Sequence, residues 1–235
     1  KILALENKFE APKEASDDLI NYLQEINELT KLEKIALDHI SIPKSLKRRM
    51  SLKKEHECTR IKAFLKDDLD KAHILDIGSG AAHLSSLLTY DSHAKSICVD
   101  QESSFQQIGL KKLKRECPEL LERIAFKCQK FDKNAPIDSS INLMIGLHTC
   151  GHLANDLLDS YIKHDKGRFL NFGCCYHKLT QSHLNISKLA KKVPLKLTNH
   201  ALTMAAKSYK TMTKSTYEKR KAVKDFRYTL HLFLK

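Results

Sequence analysis

Apolar residues recur along the chain at two spacings, and each spacing predicts one kind of element. Between residues 16 and 38 they lie three or four positions apart, which predicts an amphipathic helix with Ser16 as its N-cap. A second helix is predicted over residues 53–69, directly before an apolar run at residues 73–77. That run predicts a buried strand, because it is short and is followed at once by a turn.

Strand and helix patterns then alternate through the middle of the chain. We predict strands at residues 73–77, 94–100, 124–131, 141–147 and 168–174, and helices at residues 84–88, 104–116 and 153–163. Strands separated by helices form βαβ units, so the pattern predicts an α/β fold with a doubly wound, mostly parallel sheet. Residues 223–234 fit both a strand and a helix. The helix is preferred because residues 207–224 contain neither glycine nor proline, and the sheet is then expected to lack its usual last strands.

The first strand ends in an acid and a glycine turn, residues 76–80 (DIGSG), which predicts a nucleotide-type cofactor site. Glycine lets the backbone approach a ligand closely, and the following helix offers free N–H groups. The dinucleotide fingerprint G-x-G-x-x-G is incomplete, because His83 stands where its third glycine would be. Asp76 would repel a pyrophosphate, whereas its carboxylate suits the ammonium group of S-adenosylmethionine. Asp100, at the end of the second predicted strand, can accept both ribose hydroxyl groups.

This pattern resembles the Rossmann-like class I methyltransferase fold, whose cofactor is S-adenosylmethionine. The resemblance implies a cofactor-binding set that runs from the methionine end to the adenine: Asp76, Gly78, Ser79, Gly80, Asp100, Gln101 and Asp132. Asp132 fits an ordinary turn acid equally well, since it stands in a segment rich in turn residues.

Three further motifs lie beside this turn in the predicted fold: residues 50–57 (MSLKKEHE), 146–152 (GLHTCGH) and 171–180 (NFGCCYHKLT). The last two follow predicted strands at the carboxyl edge of the sheet, where open α/β folds bind ligands. Together the motifs resemble the methyltransferase-like 25 family, of the methyltransferase domain 32 type, whose proteins pair M-S-x-K-K-x-H-E with G-L-H-T-C-G and G-C-C-Y. A more distant likeness is to the tRNA 2′-O-methyltransferases, which carry comparable K-x-x-H, H-x-C-G and C-C segments.

The resemblance implies an S-adenosylmethionine-dependent methyltransferase, which needs a base if the methyl acceptor is a hydroxyl group. Histidine titrates near neutrality, so we expect His148 and His56 to act as bases, with His177 third. Lys54 would orient the acceptor or a phosphate. His148 also fits a structural histidine, and His56 an exposed helix residue. Residues 148–151 (HTCG) replace the Asn/Asp-Pro-Pro-aromatic clamp of enzymes that methylate adenine N6 or glutamine amides, which disfavours those acceptors.

The seven cysteines are odd in number and include no C-x-x-C pair, which predicts reduced thiols in a cytoplasmic protein. Cys150 as the nucleophile of a pyrimidine C5 methyltransferase is disfavoured. We expect Cys174 and Cys175 to pack as small apolar side chains. As neighbours on one strand they would face opposite sides, so no metal site is expected.

The net charge of +13 suits a polyanionic partner such as a nucleic acid. For a methyltransferase of this kind the expected substrate is RNA (tRNA or rRNA). The alternatives are a translation-related protein as substrate, a non-catalytic RNA-binding module that kept the fold, and a basic surface with no partner. No run of eighteen apolar residues occurs, so no membrane partner is expected. We expect a helical extension over residues 1–46 and the methyltransferase domain over residues 47–235. The absence of an initiating Met suggests an incomplete chain.

Overall fold

The computed structural model describes residues 14–29, 31, 35–179, 187–193, 197–205 and 214–234. The helices are α1 (Asp17–Leu29), α2 (Lys44–Lys47), α3 (Leu52–Leu65), α4 (His83–Thr89), α5 (Ser103–Glu116), α6 (His152–His164), α7 (Lys188–Lys192), α8 (Asn199–Ala205) and α9 (Lys214–Phe233). The strands are β1 (His73–Ile77), β2 (Lys95–Asp100), β3 (Ile124–Cys128), β4 (Leu143–Leu147) and β5 (Arg168–Phe172).

The chain forms two compact units, one of residues 36–206 and one of residues 1–35 together with 207–235. The first unit contains helices α2 to α8 and the sheet, whereas the second contains α1 and α9. Among the described helices, none combines the length and apolar character needed to cross a membrane.

The strands form a parallel sheet in the order β3-β2-β1-β4-β5. Strand β1 lies between β2 and β4, with Asp76 opposite Cys98 on one side and Ile145 on the other. The strand order therefore reverses at β1, and in open α/β sheets the ligand crevice forms at the carboxyl end of such a position. The predicted α/β fold with a parallel sheet is confirmed.

Two apolar cores cover the two faces of the sheet. Alternate residues of a strand point to opposite faces, so β1 contributes Ile74 to one core and Leu75 and Ile77 to the other. Helices α3, α4 and α5 supply the first core, and α6 supplies Leu157 to the second. Asp76 is two residues after Ile74 in the strand, so its side chain points to the same face and lies beneath α4.

The predicted helix over residues 16–38 is too long. Ser16 Oγ accepts the Leu19 backbone N–H at 3.4 Å, as expected of an N-cap, but α1 ends at Leu29. Residues 35–43 are not helical, while residues 30 and 32–34 of the prediction lie outside the described residues. Contacts with α3 and the turn after it hold this segment: Arg60 Nη1 donates to the Leu37 carbonyl at 3.4 Å, and Lys66 Nζ lies 2.5 Å from Asp38 Oδ2.

The remaining elements differ from the predictions mainly at their ends. Helix α3 ends at Leu65 and continues as a 3-10 helix over Lys66–Lys71. Strands β3 and β5 are shorter than predicted because their pairing with β2 and β4 stops at Cys128 and Phe172. The preferred helix at the C-terminus is confirmed by α9, although residues 206–213 lie outside the described part of the chain.

A buried lysine joins three helices on the first face. Lys112 Nζ, on α5, donates to the Leu46 carbonyl of α2 at 2.7 Å and lies 3.2 Å from His83 Nδ1 at the start of α4. Burial, with the charges of Lys112 and Lys54, lowers the pKa of His83 to about 4. His83 is therefore a neutral acceptor for Lys112 near neutral pH.

Candidate active site

The glycine turn between β1 and α4 is held by the end of β2. The backbone N–H groups of Gly78 and Ser79 donate to the Val99 carbonyl at 2.9 and 3.2 Å. Gly78 and Gly80 have φ values of +70° and +55°, a backbone conformation that residues with a Cβ rarely adopt. A Cβ at Gly80 would meet no heavy atom within 4 Å, so the backbone there faces open space. The turn thus exposes main chain at the crevice.

Asp76 is a buried carboxyl group directly below this turn, with only 2% of its surface exposed. Ser85 Oγ of α4 donates to Asp76 Oδ2 at 2.7 Å and accepts the hydroxyl of Ser96 at 2.8 Å. Burial raises the pKa of Asp76 to about 7, whereas the Ser85 hydrogen bond and the charge of Lys54 act in the opposite direction. Desolvation outweighs both, because a buried carboxylate loses the hydration of its charge.

Asp100 ends β2 and ties it to the glycine turn. Its Oδ2 accepts the Gly80 backbone N–H at 2.8 Å, and its Oδ1 accepts the Glu102 backbone N–H at 2.9 Å. Each carboxylate oxygen has two lone pairs, so both retain capacity for a ligand hydroxyl. Gln101 is exposed beside it, and its carbonyl oxygen lies 3.8 Å from the thiol of Cys128.

Asp132 lies in a turn of its own after β3. Its Oδ1 accepts the Asn134 backbone N–H at 2.9 Å, and its carbonyl oxygen accepts that of Ala135 at 3.1 Å. This is an Asx-turn arrangement, and the residue is exposed. The structure therefore accounts for Asp132 by its turn, and its role at the adenine stays a prediction.

His148 and Glu57 form a close side-chain pair at the crevice. His148 Nε2 lies 2.9 Å from Glu57 Oε2, with the side chains 30% and 23% exposed. His148 follows β4, and its backbone N–H donates to the Phe172 carbonyl at 2.8 Å. Its φ of +65° is unusual for a residue with a side chain, so the loop conformation is imposed by its surroundings.

Buried contacts behind His148 hold that loop. The hydroxyl of Thr149, which is 1% exposed, donates to Asn171 Oδ1 on β5. A Cβ at Gly146 would approach Thr149 Cγ2 to 2.6 Å and Asn171 Oδ1 to 2.7 Å. Only glycine leaves room for this contact, and the contact holds the end of β4 against β5.

The other predicted catalytic residues are placed less directly. His56 precedes Glu57 on α3 and is exposed, because successive helix residues point about 100° apart. Lys54 is half-buried on α3, about one helical turn before Glu57, and its charge lowers the pKa of Asp76. His177 is exposed in the short 3-10 helix Tyr176–Lys178. The described contacts bring none of these three to the His148 and Glu57 pair, and their catalytic roles stay predictions.

Glu57 is the residue that the sequence reasoning missed. It ends the motif at residues 50–57, in which only its neighbours Lys54 and His56 are predicted catalytic residues. A catalytic histidine is commonly oriented by a carboxylate. The presence of Glu57 in one motif and His148 in another could therefore have indicated this pair. Residue 180, the last of the third motif, lies outside the described residues.

The expectation that Cys174 and Cys175 face opposite sides of a strand is wrong. Strand β5 ends at Phe172, so the alternation of a strand does not apply to them. Their Sγ atoms lie 3.5 Å apart, and Cys174 Sγ lies 3.1 Å from Cys150 Sγ. The three thiols, all partly buried, form a cluster between the ends of β4 and β5.

These residues fit S-adenosylmethionine. Asp76 and Asp100 are the carboxyl groups expected to hold the ammonium group and the ribose diol, and the space beside Gly80 leaves the main chain accessible. Such a pair of acids around an open glycine turn, on a parallel sheet of this order, defines a Rossmann-like class I methyltransferase that uses S-adenosylmethionine.

The comparison of families agrees with this class. A family model described as a methyltransferase domain matches residues 53–182, more than half of the chain. The chain belongs to this methyltransferase domain family. Comparison with curated protein sequences finds no match.

Solved structures of methyltransferases are similar to this chain. A SAM-dependent O-methyltransferase from Thermotoga maritima is 18% identical, with 55% of this chain and 49% of that chain covered and a TM-score of 0.44. An S-adenosylhomocysteine-bound methyltransferase from Podospora anserina is 9% identical, with 83% and 86% covered and a TM-score of 0.46. The chain thus spans about half the length of the Thermotoga protein. At these identities and TM-scores, the similarity carries no conclusion about the methyl acceptor.

Proposed function

We propose that this domain transfers a methyl group from S-adenosylmethionine to a hydroxyl group of RNA, with His148 as the general base. The observation that carries the proposal is the 2.9 Å contact between His148 Nε2 and Glu57 Oε2. A carboxylate only accepts hydrogen bonds, so this contact favours the histidine tautomer with its proton on Nε2. Nδ1 then carries the lone pair that takes a proton from the acceptor hydroxyl.

The chain's own residues would divide the work between binding and proton transfer. Asp76 and Asp100 would hold the cofactor's ammonium group and ribose, below and beside the glycine turn. The cofactor supplies an electrophilic methyl group on a sulfonium sulfur. His148, fixed in its tautomer by Glu57, would remove the acceptor proton as the acceptor oxygen is alkylated. The carboxylate also stabilises the histidinium that forms.

The position of basic residues near Glu57 supports RNA as the substrate. Lys47, Arg48 and Lys53 lie on or next to α2 and α3, and each side chain is at least half exposed. Each of the three is paired with a glutamate, and Lys53 Nζ lies 3.6 Å from Glu57 Oε1, so an RNA phosphate would compete with these carboxylates for the cations. The net charge of +13 adds a general attraction for phosphates. A translation-related protein is the alternative substrate.

The motif resemblance to the methyltransferase-like 25 family and to tRNA 2′-O-methyltransferases supports the same proposal. We further propose that the protein acts in the cytoplasm. All seven cysteines are free, which is what a reducing compartment maintains.

The test is transfer of tritium from methyl-labelled S-adenosylmethionine to total cellular RNA. Label should be lost on RNase treatment, survive protease, and be recovered in O-methylated nucleosides after digestion. The His148→Ala variant should lose roughly 10²–10⁴-fold in rate, which is the usual contribution of a general base. The matched control is His93→Ala, because His93 is exposed and lies 3.5 Å from Asp70 Oδ1, away from the crevice.

The outcomes separate the alternatives. Label in a protease-sensitive band of a cell extract, with none in RNA, would replace RNA by a protein substrate. Absence of cofactor binding by calorimetry would instead indicate an RNA-binding module that has lost catalysis. An unchanged rate in His148→Ala would remove His148 from the mechanism.

A further inference from the structure

The three thiols beside the proposed base form a compact group that the methyl transfer does not use. Cys150 lies in the loop after β4, and Cys174 and Cys175 follow β5. The Sγ atom of Cys174 lies 3.1 Å from that of Cys150 and 3.5 Å from that of Cys175, and all three lie within 4.8 Å of one another. Three sulfur atoms from two loops thus face one small volume.

We propose that Cys150, Cys174 and Cys175 form a three-thiolate site for a thiophilic divalent cation of the Zn²⁺ type. Zn–S bonds are about 2.3 Å long, so two sulfur ligands of a tetrahedral ion lie about 3.8 Å apart. The Sγ atoms of Cys174 and Cys175 would therefore need to move apart by about 0.3 Å, and those of Cys150 and Cys174 by about 0.7 Å. The thiols are only partly buried, so an ion can reach them from solvent.

Three sulfur ligands leave the fourth tetrahedral position to water or to a ligand in the crevice. Binding would release the thiol protons to solvent, because the thiolate is the ligand form. The chemistry of the donor set selects the ion: thiolates prefer Zn²⁺ and other soft cations over Mg²⁺ or Ca²⁺, which prefer oxygen.

The site would connect the loop of His148 to the end of β5. Cys150 Sγ donates to the His148 carbonyl oxygen at 3.2 Å, so a cation on Cys150 would lie next to the loop that carries the base. A three-thiolate clamp would then restrict the same loop that Thr149 and Asn171 hold from behind.

The experiment is a titration of the reduced, metal-free full chain with Co²⁺, which reports thiolate ligands by a charge-transfer absorption band. One equivalent should saturate the band, and Zn²⁺ should abolish it. Cys150→Ser and Cys174→Ser should each lose the band. Cys128→Ser is the matched control and should keep it, because Cys128 is exposed at the end of β3.

A second measurement uses the unmodified chain, so it tests the proposal even if the cysteine variants do not fold. Zn²⁺ should slow the alkylation of Cys150, Cys174 and Cys175, followed by peptide mass spectrometry, and leave Cys128 unchanged. Absence of both the band and the protection would overturn the proposal, as would a disulfide between Cys150 and Cys174 in the freshly isolated protein. Neither readout depends on methyl transfer, so this proposal can fail while the proposed function holds.

Discussion

Glu57 and His148 are 91 positions apart in the chain, yet Glu57 Oε2 lies 2.9 Å from His148 Nε2. Helix α3 supplies the carboxylate on the first face of the sheet, and the loop after β4 supplies the histidine. The pair therefore depends on the packing of α3 beside the carboxyl edge of the sheet. It joins two motifs that neither strand nor helix periodicity connects.

Glu57→Gln should decrease kcat while leaving KM for RNA nearly unchanged. The neutral amide no longer stabilises the histidinium, and a hydrogen bond to a charged group contributes about 1.5–3 kcal/mol. We expect a loss of roughly tenfold or more in kcat, since 1.4 kcal/mol is a factor of ten. Steady-state kinetics with labelled cofactor should show this loss in kcat and not in the KM for RNA.

Glu55→Gln is the matched control for this change. Glu55 lies on the same helix, and its Oε1 contacts Lys47 Nζ at 2.7 Å. Its replacement should leave kcat unchanged. An identical kcat for Glu57→Gln and the unmodified protein would mean that Glu57 does not position the base.

Asp76→Asn should strongly weaken S-adenosylmethionine binding without unfolding the domain. The amide oxygen can still accept the Ser85 hydroxyl, but it no longer offers a charge to the cofactor's ammonium group. Isothermal titration calorimetry should show a loss of roughly tenfold or more, with RNA affinity nearly unchanged. Asp70→Asn, an exposed carboxyl group that lies 3.5 Å from His93 and away from the crevice, should bind the cofactor normally. Loss of RNA binding together with cofactor binding would make the role of Asp76 structural.

Cofactor affinity should increase with pH through about 7. Burial raises the pKa of Asp76 to about 7, so below that pH the free protein holds a neutral carboxyl group. The ammonium group of the cofactor favours the ionised carboxylate of Asp76. Below pH 7, binding must therefore release a proton from Asp76, whereas above pH 7 the carboxyl group is already ionised. The useful window ends near the α-amino pKa, about 7.7–8.0, where the ligand loses its own charge.

Calorimetry in buffers of different ionisation enthalpy would detect this proton release. His83 is not expected to contribute, because its pKa of about 4 lies below the window. Residual binding by Asp76→Asn should show no such slope. A slope of the same size in that variant would assign the titration to another group.

Gly109→Ala should destabilise the domain, although alanine ordinarily favours a helix interior by about 1 kcal/mol. A Cβ at Gly109 of α5 would lie 2.8 Å from the Ala81 carbonyl oxygen and 3.1 Å from Phe126 Cε1. Overpacking of this kind costs roughly 1–3 kcal/mol. Urea unfolding should show the loss, and cofactor affinity should also decrease because Ala81 adjoins the glycine turn. Gln107→Ala, at an exposed position of the same helix, should be neutral; a gain in stability for Gly109→Ala would contradict the contact.

Local patterns were sufficient for most of the sheet. The apolar run at residues 73–77 predicted β1 with its correct ends, because a short buried strand followed by glycine has few alternative conformations. The helix predicted over residues 16–38 failed for the opposite reason. Its periodicity continued past Leu29, but residues 35–43 are not helical, and Leu37 and Asp38 instead contact α3 and the turn after it.

The sequence by itself determined the class of fold and the acids around the glycine turn, because strand period, glycine conformation and carboxylate charge are local properties. Only the tertiary structure decided that Glu57 contacts His148 and that Cys150 joins Cys174 and Cys175. These contacts join residues that strand order and helix packing bring to one edge of the sheet. The periodicity of a single segment carries no information about which distant side chains will share that edge.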